Sequence, residues 1–218
     1  MQSSNYLNYK VYYPKDNNSD IIKAIRNNRI WEKKLLPYFD KYVNENSNVI
    51  DIGCYVGTHS LYLSNLCNKV YAFDPQQFVG ECFQKTIKEN NIDNIEFYNY
   101  ALHNHNCLSL FGTNNDGDAS LIKERNKLFT DEYYVVTEKL DYFELDDISL
   151  IKIDAEGSEA KVLEGAEETI NKCKPIILIE IWKSKKRINV IKEWCKNNNY
   201  DLTKISGDDY ILEPLFLS

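Results

Sequence analysis

Short apolar runs that alternate with helical patterns constrain the fold of this chain more than any other feature. Five runs cover residues 49–52, 69–74, 95–98, 150–154 and 176–180, and helical patterns between them cover 58–66, 78–90 and 159–173. Strands that are apolar on both faces and alternate with helices are typical of a parallel sheet covered on both sides. The sequence therefore predicts an α/β fold built around such a sheet.

The segments outside this alternation have different patterns. In residues 1–46 the apolar side chains recur at helical spacing without strand alternation, which predicts a short N-terminal helical cap on a main domain of residues 47–218. Residues 112–132 are polar and predict a long loop over the open edge of the sheet. After a predicted helix at 185–198, two strand patterns flank a Ser-Gly-Asp turn at 206–208, which predicts a final antiparallel hairpin.

Charge and hydropathy exclude several classes of partner. The 218 residues carry a formal net charge of −7, whereas a site for a nucleic-acid backbone needs a concentrated positive field. No apolar run approaches the roughly 20 residues that a bilayer-spanning helix needs. The N-terminus has no signal-peptide pattern and the six cysteines form no C-x-x-C pair. We therefore expect a cytoplasmic protein with reduced thiols and with no nucleic-acid or membrane partner.

The first chemical motif joins the first strand to a helix. Residues 51–58 read Asp-Ile-Gly-Cys-Tyr-Val-Gly-Thr, and such glycines let a ligand approach the backbone at a helix N-terminus. Asp74 ends the next strand, 17 residues after Gly57, where a carboxylate can accept hydrogen bonds from ribose hydroxyls. Together the two signals predict an adenosine-type ligand. The alternative is a structural glycine turn with Asp74 as the cap of the helix that follows Pro75.

The composition of the turn favours S-adenosylmethionine over NAD. A dinucleotide site needs Gly-x-Gly-x-x-Gly to seat a pyrophosphate, and here Tyr55 occupies the middle glycine position. Asp51 places a carboxylate before the turn, which repels phosphate and suits an ammonium group.

The third motif lies at the end of the fourth strand of the predicted sheet. Strand alternation places Lys152 and Asp154 on one side, and Asp154 emerges at the edge where ligands bind in such sheets. A buried unpaired cation is costly, so we expect Lys152 to pair with a carboxylate at the site. For Glu156 and Glu159, the alternative to a site role is that they complement the dipole of the next helix.

Three stretches together resemble the FkbM family of methyltransferases. They read Asn48-Val-Ile-Asp-Ile-Gly-Cys-Tyr-Val-Gly-Thr-His-Ser-Leu, Val70-Tyr-Ala-Phe-Asp-Pro and Leu150-Ile-Lys-Ile-Asp-Ala-Glu-Gly-Ser-Glu-Ala-Lys-Val-Leu-Glu-Gly-Ala, within a similarity over about residues 47–182. The Lys-Ile-Asp-x-Glu-Gly-x-Glu block is specific to the family, whereas the glycine turn is common among methyltransferases. The sequence departs from the family pattern at Cys54, Tyr55 and Asp74, the last standing where Glu is usual.

The resemblance implies a Rossmann-like class I fold, with a mostly parallel seven-stranded sheet, antiparallel C-terminal strands and helices on both faces. It also implies S-adenosylmethionine as cofactor and O-methylation of a hydroxyl on a sugar, glycan or glycosylated small molecule. Carried over to this sequence, the implied cofactor-binding residues are Asp51, Gly53, Tyr55, Gly57, Thr58, His59, Phe73, Asp74, Tyr100, Ala101 and Asp154.

The chemistry is predicted at the end of the fourth strand. Asp154 would take the proton of the acceptor hydroxyl, with Lys152 and Glu156 beside it. Alternatively Asp154, Glu156 and Glu180 would hold Mg²⁺, which acidifies the hydroxyl directly. The predicted acceptor-binding residues are Asp118, Ser120 and Glu180, with a plain loop as the alternative for the first two.

Two other functions stay open from the sequence. An NAD-dependent sugar oxidoreductase is disfavoured by Tyr55 and by the lack of a Tyr-x-x-x-Lys pair after the fourth strand. A non-catalytic S-adenosylmethionine-binding module is disfavoured because Lys152, Asp154 and Glu156 are all present. The sequence does not name the acceptor or the oligomeric state.

Overall fold

The computed structural model describes residues 1–114, 119–121, 129–182 and 184–215. The strands are β1 (Gln2–Tyr6), β2 (Tyr9–Tyr13), β3 (Asn48–Ile52), β4 (Lys69–Phe73), β5 (Ile95–Tyr98), β6 (Ala101–Leu102), β7 (Cys107–Thr113), β8 (Ala119–Leu121), β9 (Asp131–Glu138), β10 (Ile148–Ile153), β11 (Ile176–Glu180), β12 (Tyr200–Ser206) and β13 (Asp209–Pro214). The helices are α1 (Asp20–Arg26), α2 (Leu36–Tyr42), α3 (Thr58–Leu63), α4 (Gln77–Glu89), α5 (Glu159–Glu164), α6 (Glu167–Cys173) and α7 (Lys185–Asn198), with 3₁₀ turns at Lys33–Leu35 and Leu140–Phe143.

The main sheet confirms the predicted Rossmann-like α/β architecture. Its seven strands run in the order β12-β13-β11-β10-β3-β4-β5. The five strands from β11 to β5 are parallel, and β13 pairs antiparallel with both β11 and β12. Apolar side chains of the parallel strands are buried on both faces of the sheet, where they form two core clusters beneath the helices.

One predicted helix is broken in two. The pattern over 159–173 predicts a single helix, whereas α5 ends before Gly165 and α6 begins after it. A Cβ atom at Gly165 would lie 2.0 Å from the backbone oxygen of His103, so only glycine allows this close approach. The helix is therefore interrupted at Gly165, where the backbone of His103 passes close to it.

The prediction of a purely helical N-terminal cap is wrong. The two helices are present as α1 and α2, but β1 and β2 precede them as an antiparallel hairpin. The hairpin packs on α4, where the Tyr12 amide donates to the Thr86 hydroxyl at 2.9 Å and Asn90 bonds both backbone groups of Lys10. These contacts join positions more than 70 residues apart, which local sequence patterns do not reveal.

The predicted loop over 112–132 is also wrong in part. A second sheet, in the order β6-β9-β7-β8, occupies part of that range. Its buried residues Ala101, Phe111, Ala119, Leu121 and Val135 form a small apolar cluster that is separate from the two clusters of the main sheet. The loop prediction for 115–118 and 122–128 lies outside the described residues. Within the part of the chain that is described, no helix is both long and apolar enough to span a membrane.

Candidate functional site

A cavity of about 310 Å³ lies at the carboxyl ends of the parallel strands. Such a volume is typical of small-molecule sites, and this edge of an open α/β sheet is where ligands bind. The predicted residues that line it are Gly53, Tyr55, Thr58, His59, Phe73, Asp74, Tyr100, Ala101, Lys152, Asp154 and Glu156. Four others, Asp51, Gly57, Ser120 and Glu180, are not among its lining residues, and Asp118 lies outside the described residues.

The glycine turn between β3 and α3 is tightly packed against the neighbouring residues. Gly53 and Gly57 have φ angles of 73° and 83° in the left-handed region. A Cβ atom at Gly53 would lie 1.8 Å from the backbone oxygen of Asp154, and one at Gly57 would lie 1.9 Å from the ring of Phe83. Packing and backbone conformation therefore both require glycine at Gly53 and Gly57. The same turn also forms one wall of the cavity.

Asp74 is buried at the end of β4, with 4% of its surface exposed. One carboxylate oxygen accepts a hydrogen bond from the Tyr55 amide at 3.0 Å, and the other accepts from the Gln76 amide at 2.9 Å. Burial raises its pKa to about 6. The N-cap of α4 is Gln76 and no side chain caps the helix, so the capping alternative for Asp74 is wrong. Asp74 instead holds the backbone before α4 through the Gln76 amide, and it also lines the cavity. Each carboxylate oxygen can accept a further bond from a ligand hydroxyl.

An aromatic cluster lies beside Asp74. Phe73 stacks on Tyr98 with ring centroids 4.9 Å apart and packs edge-on to Phe143. Tyr100, whose ring is 5.7 Å from that of Phe143, extends the cluster along the cavity. A flat apolar wall next to a carboxylate matches the adenine and ribose of an adenosine ligand.

Asp51 lies beneath the cavity rather than on its wall. Its side chain is fully buried, and one oxygen accepts a hydrogen bond from Ser60 at 2.6 Å. The Lys152 ammonium lies 3.6 Å from the other oxygen, 3.4 Å from Asp154 and 3.3 Å from the Gly53 carbonyl. The expected pairing of Lys152 with carboxylates is present.

Lys152 is held in its charged form. Burial lowers the pKa of this ammonium, but Asp154 and Asp51 outweigh burial and raise the pKa above its ordinary value. Its positive charge is thus fixed beside Asp154 at neutral pH.

Asp154 and Ser158 each carry a buried oxygen that makes no hydrogen bond. Among the described residues, neither the Oδ1 atom of Asp154 nor the hydroxyl of Ser158 has a hydrogen-bond partner. Both residues line the cavity. Buried polar atoms without partners are uncommon, so the pair indicates polar groups of a ligand here.

Ser120 closes the cavity wall instead of facing a ligand. It is 1% exposed, and its hydroxyl donates to the Glu156 carbonyl at 2.7 Å. Its neighbours Ala119 and Leu121 present their side chains to the cavity. The bond ties β8 to the turn after β10, where Glu156 itself has a left-handed φ of 52°.

The N-terminal segment adds site residues that sequence reasoning missed. Ser19, Ile21 and Trp31 line the cavity. Glu32 has a left-handed φ of 42°, and its Oε2 lies 3.7 Å from Nε2 of buried His59. No motif surrounds Glu32, and its backbone conformation is not readable from sequence.

The two groups of this contact differ in charge state. Burial and the neighbouring Lys152 lower the pKa of His59 to about 3, so its ring is neutral at pH 7. Burial raises the pKa of Glu32. The contact is therefore not an ion pair at neutral pH.

A second, much smaller cavity of about 10 Å³ adjoins the first. Glu32, Glu180 and Asp209 line only this one, and Lys152 and Asp154 line both. Burial, together with the carboxylates of Asp154 and Glu32, raises the pKa of Glu180 to about 9.

The donor set does not fit the predicted Mg²⁺ site. Among the described residues, no three Asp, Glu, His or Cys side chains are grouped so that they could hold a metal ion. The cation beside Asp154 is the Lys152 ammonium. The residues around the larger cavity do fit S-adenosylmethionine, since a carboxylate next to an aromatic wall and unpartnered polar atoms match its adenosine and polar groups.

One family model and several solved structures are similar to this chain. The family model described as Methyltransferase FkbM domain matches residues 51–202, which is most of the chain. No curated protein matches the sequence.

Three solved structures share the fold. Methyltransferase FkbM from Methylobacillus flagellatus KT is 12% identical, with a TM-score of 0.58 over 91% of this chain and 56% of that chain. SMU.1697c from Streptococcus mutans, in complex with SAH, is 14% identical, with a TM-score of 0.53 over 84% and 97%. An rRNA methylase from Streptococcus thermophilus is 18% identical, with a TM-score of 0.52 over 82% and 93%.

Proposed function

Because this chain belongs to the FkbM methyltransferase family, we propose that it methylates a hydroxyl group of a sugar, a glycan or a glycosylated small molecule. The observation that carries the proposal is the carboxylate of Asp154, which lines the cavity while Lys152 lies 3.4 Å from its Oδ2 atom. A fixed carboxylate at this edge of the sheet can accept a proton from an acceptor hydroxyl.

The cofactor would bind along the larger cavity. Asp74 would accept hydrogen bonds from the ribose hydroxyls, and Phe73 and Tyr100 would contact the adenine. The glycine turn would bring the methionine end close to Gly53 and Asp154. S-adenosylmethionine supplies an electrophilic methyl group on a sulfonium, so the protein chiefly aligns the acceptor oxygen.

The proton would leave through Asp154. Lys152 fixes the orientation of this carboxylate through the contact with its Oδ2 atom. As the hydroxyl oxygen forms its new bond, its proton becomes acidic enough for a carboxylate to accept. Ser158 lies on the same wall and would orient the acceptor or the cofactor through its unpartnered hydroxyl.

Family membership, charge and cysteine state bear on the cofactor, the acceptor and the location of the protein. The nicotinamide alternative is set aside because the family is one of methyltransferases, and Mg²⁺ has no part because the donor set does not fit it. A small-molecule or glycan acceptor, in preference to nucleic acid, agrees with the net charge of −7. The free state of all six cysteines agrees with a cytoplasmic location.

Substitution of Asp154 tests the proposal directly. We expect Asp154→Asn to bind S-adenosylhomocysteine within about threefold of the wild type and to lower methyl transfer by at least about 10²-fold, since a general base contributes that much. Calorimetric titration measures the first quantity, and formation of S-adenosylhomocysteine with a panel of glycosides measures the second. Full activity in the variant would remove Asp154 from the mechanism.

The cofactor assignment has its own control. Asp74→Ala is expected to lose S-adenosylhomocysteine binding, whereas the exposed substitution Glu193→Gln is expected to retain it. A preference for NAD over S-adenosylhomocysteine in the wild type would contradict the proposed cofactor.

A further inference from the structure

We propose that the methyl acceptor is a neutral oligosaccharide, whose methylated sugar lies in the larger cavity and whose next sugars lie in a groove beside it. This inference rests on the methyltransferase function proposed above and names the class of acceptor for the same site. The groove has a volume of about 560 Å³. It is bounded by residues 14–17 of the N-terminal segment, by the start of α4 and by the second sheet.

The larger cavity leaves little room for an acceptor once a cofactor is bound. Its volume of about 310 Å³ is at the lower end of the range of small-molecule sites, which extends from roughly 300 to 1,000 Å³. A cofactor of the size of S-adenosylmethionine is expected to fill most of such a site. An acceptor longer than one sugar therefore needs space outside the cavity, and the groove supplies it.

The groove is continuous with the larger cavity along three walls. In the N-terminal segment, residues 14–17 line the groove and Ser19 lines the cavity. Gln76, the residue before α4, lines both. In the second sheet, Phe111 lines the cavity and Tyr133 lines the groove, and the centroids of their rings are 5.7 Å apart. The groove is therefore the outward extension of the candidate active site.

Two aromatic side chains lie on different walls of the groove. Phe78, at the start of α4, is 48% exposed and, among the described residues, belongs to none of the three apolar clusters. Tyr133 is half-buried on the wall formed by the second sheet. An aromatic ring presents a flat apolar face with partial negative charge, on which the C–H face of a sugar ring can pack. Each ring could therefore hold one sugar of the acceptor.

Two asparagines offer hydrogen-bond donors from opposite walls. The Oδ1 atom of Asn17 accepts from the Ser19 amide at 2.9 Å, and that of Asn114 accepts from the Thr130 amide at 2.9 Å. These bonds fix both side chains through their oxygens. Within the described ranges, neither Nδ2 group donates a hydrogen bond, so each has two N–H donors available for sugar hydroxyls.

The charge of the groove favours a neutral glycan. Its charged side chains are Lys15, Asp16, Glu81 and Asp131, which are all exposed. This excess of carboxylates disfavours phosphorylated or otherwise anionic acceptors. Carboxylates accept hydrogen bonds from hydroxyl groups, which a neutral sugar supplies in number.

The test measures how binding depends on the length of the glycan. An array of neutral, acidic and phosphorylated glycans, from mono- to tetrasaccharides, is probed with labelled protein loaded with S-adenosylhomocysteine, and the best binders are titrated in solution. We expect a neutral tri- or tetrasaccharide to bind at least about tenfold more tightly than its terminal monosaccharide, because the longer glycan also reaches the aromatic rings of the groove.

Two variants and a matched control assign that difference to the groove. Phe78→Ala and Tyr133→Ala are each expected to lower the affinity for the oligosaccharide by about tenfold and to keep the affinity for S-adenosylhomocysteine within about threefold of the wild type. Tyr134→Ala is the control, because Tyr134 is adjacent in β9 and 70% exposed but lines neither the groove nor the larger cavity. It is expected to change neither affinity.

The outcomes separate this inference from the proposed function. The oligosaccharide subsite is overturned if no glycan on the array binds, if glycan length has no effect, if anionic glycans bind best, or if both variants keep the dependence on length. An equal loss of S-adenosylhomocysteine affinity in the two variants would assign the groove to the cofactor and would also overturn it. Methylation of simple monosaccharide glycosides would then still support the methyltransferase proposal. Failure of the wild type to bind S-adenosylhomocysteine would instead contradict the proposed function itself.

Discussion

The site is built from two regions that differ in how they are encoded. The parallel strands β3, β4 and β10 supply the glycine turn, Asp74 and Asp154, within the segment that the family model matches. The N-terminal segment and the small sheet supply the opposite walls, through Trp31 and Leu121 among others. In the proposed function, the first region would bind the cofactor and the second would provide the surfaces that an acceptor meets.

The two regions differ in how much of their structure a local sequence pattern can reveal. A parallel strand is buried on both faces, so it appears as a continuous apolar run whatever surrounds it. The strands β1 and β2 mix tyrosines with polar residues and are stabilised through α4, far away in the chain. Local patterns therefore reveal the first region and conceal the second.

The largest effect on stability is expected from a substitution in the glycine turn of the first region. Gly53→Ala would force a Cβ atom against the backbone oxygen of Asp154 and would strain a left-handed φ. We expect a loss of about 4 kcal/mol in the free energy of unfolding. Gly207→Ala is the matched control, because its φ is also positive but its nearest neighbours lie 3.9 Å away, and about 1 kcal/mol is expected there.

Urea denaturation of both variants measures these losses. Equal losses at the two positions would mean that close packing at Gly53 contributes nothing and that only its backbone conformation matters.

A somewhat smaller effect is expected from the second region. Phe39 is fully buried and packs against the rings of His59 and Tyr62. Phe39→Ala is expected to lower the free energy of unfolding by about 3 kcal/mol in a single transition, whereas Tyr142→Ala, at a side chain 69% exposed, is expected to change it little. An early, separate transition in Phe39→Ala would show instead that the N-terminal segment is a detachable unit.

The smallest effect concerns pH. The pKa of Asp74 is raised to about 6, so the carboxylate takes up most of its proton between about pH 7 and pH 5 in the free protein. If the ionised form binds the ribose, the affinity for S-adenosylhomocysteine falls below pH 6, by at most about tenfold per pH unit. In Asp74→Asn, titration at several pH values is expected to show weak binding without that slope, and a wild-type affinity that is flat from pH 7 to 5 would argue against the role of Asp74.

Some residues of the candidate site could be predicted from the sequence, and others could not. Asp74 and Asp154 directly follow buried strands, so their positions at the sheet edge could be predicted from the pattern of strands alone. Asp51 was expected at the methionine end, but Ser60 and Lys152 hold it beneath the cavity. Glu32 escaped prediction because it reaches the site through a left-handed backbone in a segment without a motif.

The backbone contact between Gly53 and Asp154 has a consequence for protein engineering. Because Gly53 and Asp154 touch through backbone atoms, the site cannot be enlarged at that contact by trimming a side chain. The opposite walls consist of side chains on separate segments, including Ile21, Trp31 and Leu121. Libraries intended to redirect the enzyme to new acceptors are therefore best built at those three positions.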